Sequence, residues 1–128
     1  MSPPIDHDEL TGSGDPFTAM RDYLRRFAAE RDWEQFHSPK NLAMALAVEA
    51  SELLEHFQWL TEEQSHNLPP EKLSAVAEEI ADVQLYLVRL ADRLGVDIAK
   101  AVTAKTQKNE TRYPPDKVRG SARKHSDY

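Results

Sequence analysis

The sequence predicts an all-α fold, a bundle of four main helices joined by short links. Three observations predict it. Asp15-Pro16 and Ser38-Pro39 mark helix starts: the first side chain can accept from free N–H groups of the first turn, and proline fits the first helical position. Residues 71–94 place Val76, Ile80, Val83, Leu87, Leu90 and Leu94 at helical spacing. No run alternates apolar and polar residues as a half-buried strand would.

Residues 1–14 are rich in Pro, Gly, Ser and Asp and read as a flexible N-terminal tail. A first helix then runs over 17–30 and buries Phe17, Met20, Leu24 and Phe27. RDWEQFH, carrying two aromatics, reads as a loop, and a second helix follows from Pro39 to about Trp59. The link LTEEQSHNLPP is polar and ends in two prolines, with Thr61 placed to cap a short extra turn. The third helix spans 71–94 and stops at Gly95. Asp97 caps a fourth over 98–112, which Tyr113-Pro114-Pro115 ends; residues 116–128 read as a C-terminal arm or tail. At 128 residues the chain suits one core, so 15–115 is expected to be a single helical domain.

Composition narrows the function classes. The net charge of −6 argues against nucleic acid or anionic lipid as a partner. The absence of cysteine excludes disulfides, thiolate catalysis and Cys-based zinc sites. The first residues carry no basic stretch followed by an apolar one, and no run reaches the ~20 apolar residues of a membrane span. A soluble cytoplasmic protein is the expectation.

The carboxylates carry the chemistry. Residues three and four apart share a helix face at about 100° per step. Glu49 thus falls between Leu42, Leu46 and Leu53, and Glu52 roughly 60° to one side. Glu79 and Asp82 likewise edge the stripe of Val76, Ile80, Val83 and Leu87. If the two helices pack antiparallel, four carboxylates converge, a costly arrangement unless a cation or proton joins them. Oxygen-only ligands favour Mg²⁺, with Mn²⁺ as substitute, over zinc or iron. The plainer alternatives are solvated acidic faces, or a buried Arg or His (His56, for example) paired with Glu49.

On the fourth helix Lys105, Asn109, Arg112 and Tyr113 share one face and offer donors suited to phosphate oxygens. A solvated helix end whose basic residues complement the helix dipole is the alternative. Trp33, Phe36, His37, Trp59 and Tyr86 are candidates for a base-stacking pocket, though aromatics at such spacing are commonly core.

With EASE (Glu49 to Glu52) and EIAD (Glu79 to Asp82), the chain resembles the MazG-like all-α nucleoside triphosphate pyrophosphohydrolases. The stretches ERDWEQFH, FQWL, EEIADVQLYLVRLA and NETRYPPDKVRGSARK are similar to the dCTP pyrophosphatase branch, and the likeness covers residues 17–124. It implies Glu49, Glu52, Glu79 and Asp82 as Mg²⁺ ligands. It implies Trp33, His37, Trp59 and Tyr86 around a pyrimidine, and Lys105, Asn109, Arg112 and Tyr113 toward the triphosphate and sugar. It further implies a homotetramer, a dimer of dimers, with sites built partly between subunits.

The expected function is hydrolysis of dCTP, or a modified dCTP, to dCMP and pyrophosphate in nucleotide-pool sanitation. Glu49 or Glu52 would orient or deprotonate the attacking water, while Lys105 and Arg112 stabilise the leaving pyrophosphate. The alternatives are a dUTP or broad-specificity pyrophosphohydrolase and, from another class, a non-catalytic helical interaction module.

Overall fold

The computed structural model describes residues 3–12 and 14–123, and among them every regular element is helical. Helix α1 (His7–Thr11) lies in the segment read above as a tail; Asp6 caps it by accepting from the Glu9 N–H at 2.9 Å. In α2 (Pro16–Glu30) Asp15 accepts from the Phe17 N–H at 2.9 Å and from the Thr18 hydroxyl at 3.0 Å. The following loop contains a 3-10 turn, Glu34–Phe36. It starts at Asp32, whose φ of 54° is a left-handed conformation. The Gln35 amide donates to the Asp32 carbonyl at 3.0 Å and to its carboxylate at 3.1 Å, bridging that turn.

Helix α3 (Pro39–Glu55) begins at Ser38, whose hydroxyl accepts from the Asn41 N–H at 3.1 Å. It ends four residues before the Trp59 expected from periodicity. Phe57 donates back to Leu54 and Leu60 to Phe57, three-residue bonds that tighten the chain into turns. Thr61 then starts α4 (Glu62–Ser65) with a full capping box: the Gln64 N–H donates to the Thr61 hydroxyl at 3.1 Å, and the Thr61 N–H to the Gln64 side chain at 3.0 Å.

Helix α5 (Pro70–Leu94) is the long element, and Gly95 closes it at φ 69°. The Val96 N–H reaches the Ala91 carbonyl at 2.8 Å and the Gly95 N–H the Asp92 carbonyl at 3.1 Å, a Schellman closure. Helix α6 (Ile98–Arg112) starts at Asp97, which accepts from the Lys100 N–H at 3.0 Å; α7 (Pro115–Val118) follows Pro114. No helix of the described residues is long and apolar enough to cross a membrane.

The chain forms two compact units, one ending at Val96 and the other beginning at Asp97. In the first, α5 packs against both α3 and α2. Helices α3 and α5 run antiparallel: Leu42, early in α3, shares a cavity wall with Leu85 and Arg89, whereas Glu49, further on, stands beside Glu79. Ala28, Leu42, Val76, Val88 and Ala91 are buried. The α5 stripe predicted as core divides. Val76 is buried, but Ile80, Leu87 and Leu94 are 55%, 42% and 57% exposed, joined by Leu73 at 56%. These four lie seven residues apart, a spacing that periodicity alone cannot assign to a core or to a partner.

A methyl group at Gly95 would meet no atom within 4 Å, so only backbone strain opposes a side chain there. Gly95→Ala is expected to cost about 1 kcal/mol, read as a lower urea midpoint. An unchanged midpoint would show that α5 ends equally well without its left-handed residue.

Candidate functional site

Packing α3 on α5 brings acids from both helices together. Glu49, Glu79 and Asp82 each offer a carboxylate oxygen, and the three oxygens lie within 4.8 Å of one another. Glu52, one turn beyond Glu49 and half-buried, stands outside this triad, yet its charge bears on both Glu49 and Glu79. The Oε2 atoms of Glu49 and Glu79 are buried with no hydrogen-bond partner on the protein. Neither His56 nor an arginine satisfies them.

Desolvation is the main cause that pushes the Glu49 carboxyl from its ordinary 4.5 to about 7; the neighbouring Glu79 and Glu52 carboxyls push it further the same way. Burial also raises Glu79. Burial, followed by the charges of Glu49, Asp82 and Glu52, raises the Tyr86 phenol. Two orphaned carboxylate oxygens among like charges form a donor set that a hard divalent cation fits. Such an ion takes oxygen ligands and removes the repulsion that the protein leaves uncompensated.

A cavity of about 270 Å³ opens beside the acids, with Phe27, Trp33, His37, Asp82, Tyr86 and Arg89 in its wall. Asp82 therefore belongs to both the acid cluster and the cavity. The Trp33 ring meets Phe27 edge-on at 5.7 Å and His37 at 6.4 Å, which sets an aromatic wall on one side. Three of the five ring candidates, Trp33, His37 and Tyr86, thus converge here, whereas Phe36 is exposed and outside the wall. Trp59 is outside the cavity wall and 87% exposed. Lys105, Asn109 and Arg112 are exposed on α6, in the second unit, and half-buried Tyr113 caps that helix by donating its N–H to the Asn109 carbonyl at 2.9 Å.

Sequence reasoning missed Arg89, which is 4% exposed in the cavity wall. A signal for it existed. Steps of three and four from Asp82 through Tyr86 lead to Arg89 and then Arg93 on the same face.

The sequence pattern of the MazG-like family matches residues 44–128, a stretch that includes all four acids. The chain belongs to the MazG-like family. This MazG-like chain is 52% identical over 103 residues to dCTP pyrophosphatase 1 of Mus musculus, and 48% identical over the same length to its counterpart in Homo sapiens. Each alignment covers 79% of this chain, which spans 61% of the length of these curated relatives. A crystal structure of a pyrophosphatase from Archaeoglobus fulgidus DSM 4304 is also similar, with a TM-score of 0.74 and 37% identity over 87% of this chain and 99% of that one.

The raised Glu49 gives a sign to the pH dependence of the metal-free protein. Between about 4.5 and 7 the folded state holds a proton that the unfolded chain has released, so stability falls as pH rises through that window. A cation that binds the ionised acids offsets the loss. Thermal melts are expected to show Mg²⁺ raising the Tm at about pH 8 by about 5 °C or more, and far less at about pH 5. Equal responses at the two pH values would show that these acids do not take up the ion.

Proposed function

We propose that this chain is a divalent-metal-dependent nucleoside triphosphate pyrophosphohydrolase acting on dCTP, or a modified dCTP, to give dCMP and pyrophosphate in cytoplasmic nucleotide-pool sanitation. One observation carries the reading: an acid triad, in which Glu49 and Glu79 each hold a buried carboxylate oxygen without a partner, shares Asp82 with a cavity walled by Trp33, His37 and Tyr86. The named activity of the mammalian relatives supports the choice of nucleotide.

In this reading Glu49, Glu79 and Asp82, with Glu52 at the edge, hold Mg²⁺, for which Mn²⁺ is a substitute. The bound ion supplies charge neutralisation on the phosphates and an acidified water. Glu52, outside the triad, orients the attacking water and takes its proton. Trp33 and Tyr86 hold the base by stacking and edge contacts. Lys105 and Arg112 stabilise charge on the leaving pyrophosphate, and Asn109 and Tyr113 contact the phosphates and sugar.

The reading includes a bundle-like protomer assembled as a homotetramer. The exposed series Leu73, Ile80, Leu87 and Leu94 supports it, because a seven-residue apolar repeat on a helix is the pattern that a second helix covers. Exposed Trp59 would then complete the base pocket of a neighbouring copy.

Glu49→Gln and Asp82→Asn are expected to lower pyrophosphate release from dCTP by more than about a hundredfold while the circular dichroism stays helical; substitutions that merely support a metal site already cost 10–100-fold. Full activity in either variant would remove that residue from the reaction. A panel of nucleotides should show cytosine nucleotides turned over fastest, and equal rates for purines and pyrimidines would defeat the dCTP assignment. Leu87→Glu is expected to shift sedimentation from an assembly of several chains toward a single chain. An unchanged sedimentation coefficient would place the interface elsewhere.

A further inference from the structure

Among the described residues of the first unit, Arg89 is the one charged residue buried almost completely, and it ends on a ring in the cavity wall. Its Nε donates to Nδ1 of His37 at 3.1 Å. Fifty-two positions separate the two residues, so only the packed fold makes this bond. A guanidinium has donors and no acceptor, and it stays protonated in proteins. Nδ1 of His37 must therefore present a lone pair. A neutral imidazole with a bare Nδ1 carries its hydrogen on Nε2. A doubly protonated ring would set an N–H against the N–H of Arg89.

The surrounding groups hold this arrangement from two sides. Arg93 Nε donates to the His37 backbone carbonyl at 3.0 Å, so α5 grips both the ring and the main chain of the loop residue. Arg89 in turn lies 3.5 Å from the Asp92 carboxylate. Asp92 accepts a forked pair of bonds from Arg25 of α2, at 2.8 and 2.6 Å. The Arg25 guanidinium keeps the Asp92 carboxyl below its usual range, so the anion that steadies Arg89 persists. Burial, followed by the charges of Arg89 and Arg93, lowers the His37 pKa, which keeps the ring neutral. Glu34 opposes this with a smaller effect.

The Arg93 contact to the carbonyl already ties the loop to α5, and the Arg25–Asp92 pair already ties α2 to that helix. The Arg89 contact adds something a tether does not require: it chooses which ring nitrogen bears hydrogen. We infer that Arg89 is a positioning residue that holds His37 in the Nε2–H form, so that the cavity offers a ring N–H donor and favours a base with an unprotonated ring nitrogen, cytosine, over uracil. The base preference rests on the nucleotide reading proposed above; the tautomer does not. Cytosine presents a lone pair at N3, which a donor satisfies. Uracil presents N3–H at the same place, and two facing donors leave both desolvated and unpaired.

The test begins with the unaltered protein. Two-bond ¹H–¹⁵N spectra of histidine-labelled, full-length chain at neutral pH are expected to show His37 with hydrogen on Nε2 and a bare Nδ1. Hydrogen on Nδ1, or on both nitrogens, overturns the proposal without any variant. In Arg89→Met, with helicity verified by circular dichroism, the His37 signals should move toward a mixture of tautomers. The ratio of kcat/KM for dCTP over dUTP should then fall by about tenfold, the scale of one hydrogen bond. Should Arg89→Met fail to fold, Arg89→Lys, which keeps a cationic donor on a shorter stem, is measured the same way and must lower the ratio where the tautomer is lost and preserve it where the tautomer is kept. A changed tautomer with an unchanged ratio overturns the recognition role. A chain that hydrolyses neither nucleotide overturns the function proposed above and the base preference with it, while the spectrum still decides the tautomer.

Discussion

Like charges brought face to face by helix packing are the constraint on which the rest of this structure depends. Leu42 and Glu49 lie two turns apart on α3, and the packing that buries Leu42 against α5 brings a Glu49 oxygen within 4.8 Å of oxygens of Glu79 and Asp82. The helix period makes the two consequences inseparable: the leucine cannot be buried without delivering the carboxylate. Without a cation the cluster must hold a proton, as the raised Glu49 shows, or sit ionised with two oxygens that nothing on the protein satisfies. A bound divalent ion resolves both conditions with one ligand.

The first unit buries little for its length, and the reason lies in α5. One side of that helix meets α2 and α3, whereas Leu73, Ile80, Leu87 and Leu94 face outward. A polar chain, Arg25–Asp92–Arg89–His37, runs from exposed Arg25 inward to buried Arg89, in place of aliphatic packing. Burying an arginine costs desolvation that an ion pair only partly offsets. Such a network therefore contributes less to stability than to geometry, and its geometry ends on a side chain of the cavity.

The parts legible in the sequence were those set by neighbours along the chain. Asp15, Ser38, Thr61 and Asp97 cap the helices they were read to cap, and Gly95 ends α5, because each acts on backbone groups a few residues away. The pairing of Glu49 with Glu79 and Asp82 was legible too, since helical spacing fixes which face an acid occupies. Three features were not. Helix α3 gives way to turns at His56, where the three-residue bonds of Phe57 and Leu60 and then the Thr61 cap replace a continuing period. The outward half of the α5 stripe reads identically to core, because periodicity reports a shared face and is silent on what covers it. Arg89 is tied to a ring that is distant along the chain, a contact that exists only after α5 and the loop have packed.

What joins these parts is that α5 serves as a ruler. Glu79, Asp82, Tyr86 and Arg89 follow one another at steps of three or four along one face, a rise of about 15 Å from first to last. Acid chemistry occupies the early end, an aromatic the middle, and the buried guanidinium with its histidine the late end. Their separations follow from the regular rise of a helix packed along its length on α3 and, in part, on α2, not from loops whose conformations must be selected. In the proposed reading, a ligand that spans acids and cavity is measured for length by a rigid element and for hydrogen-bonding pattern by His37, a loop side chain that this element holds. Asp82, common to the acid cluster and the cavity, is where the two measurements share an origin.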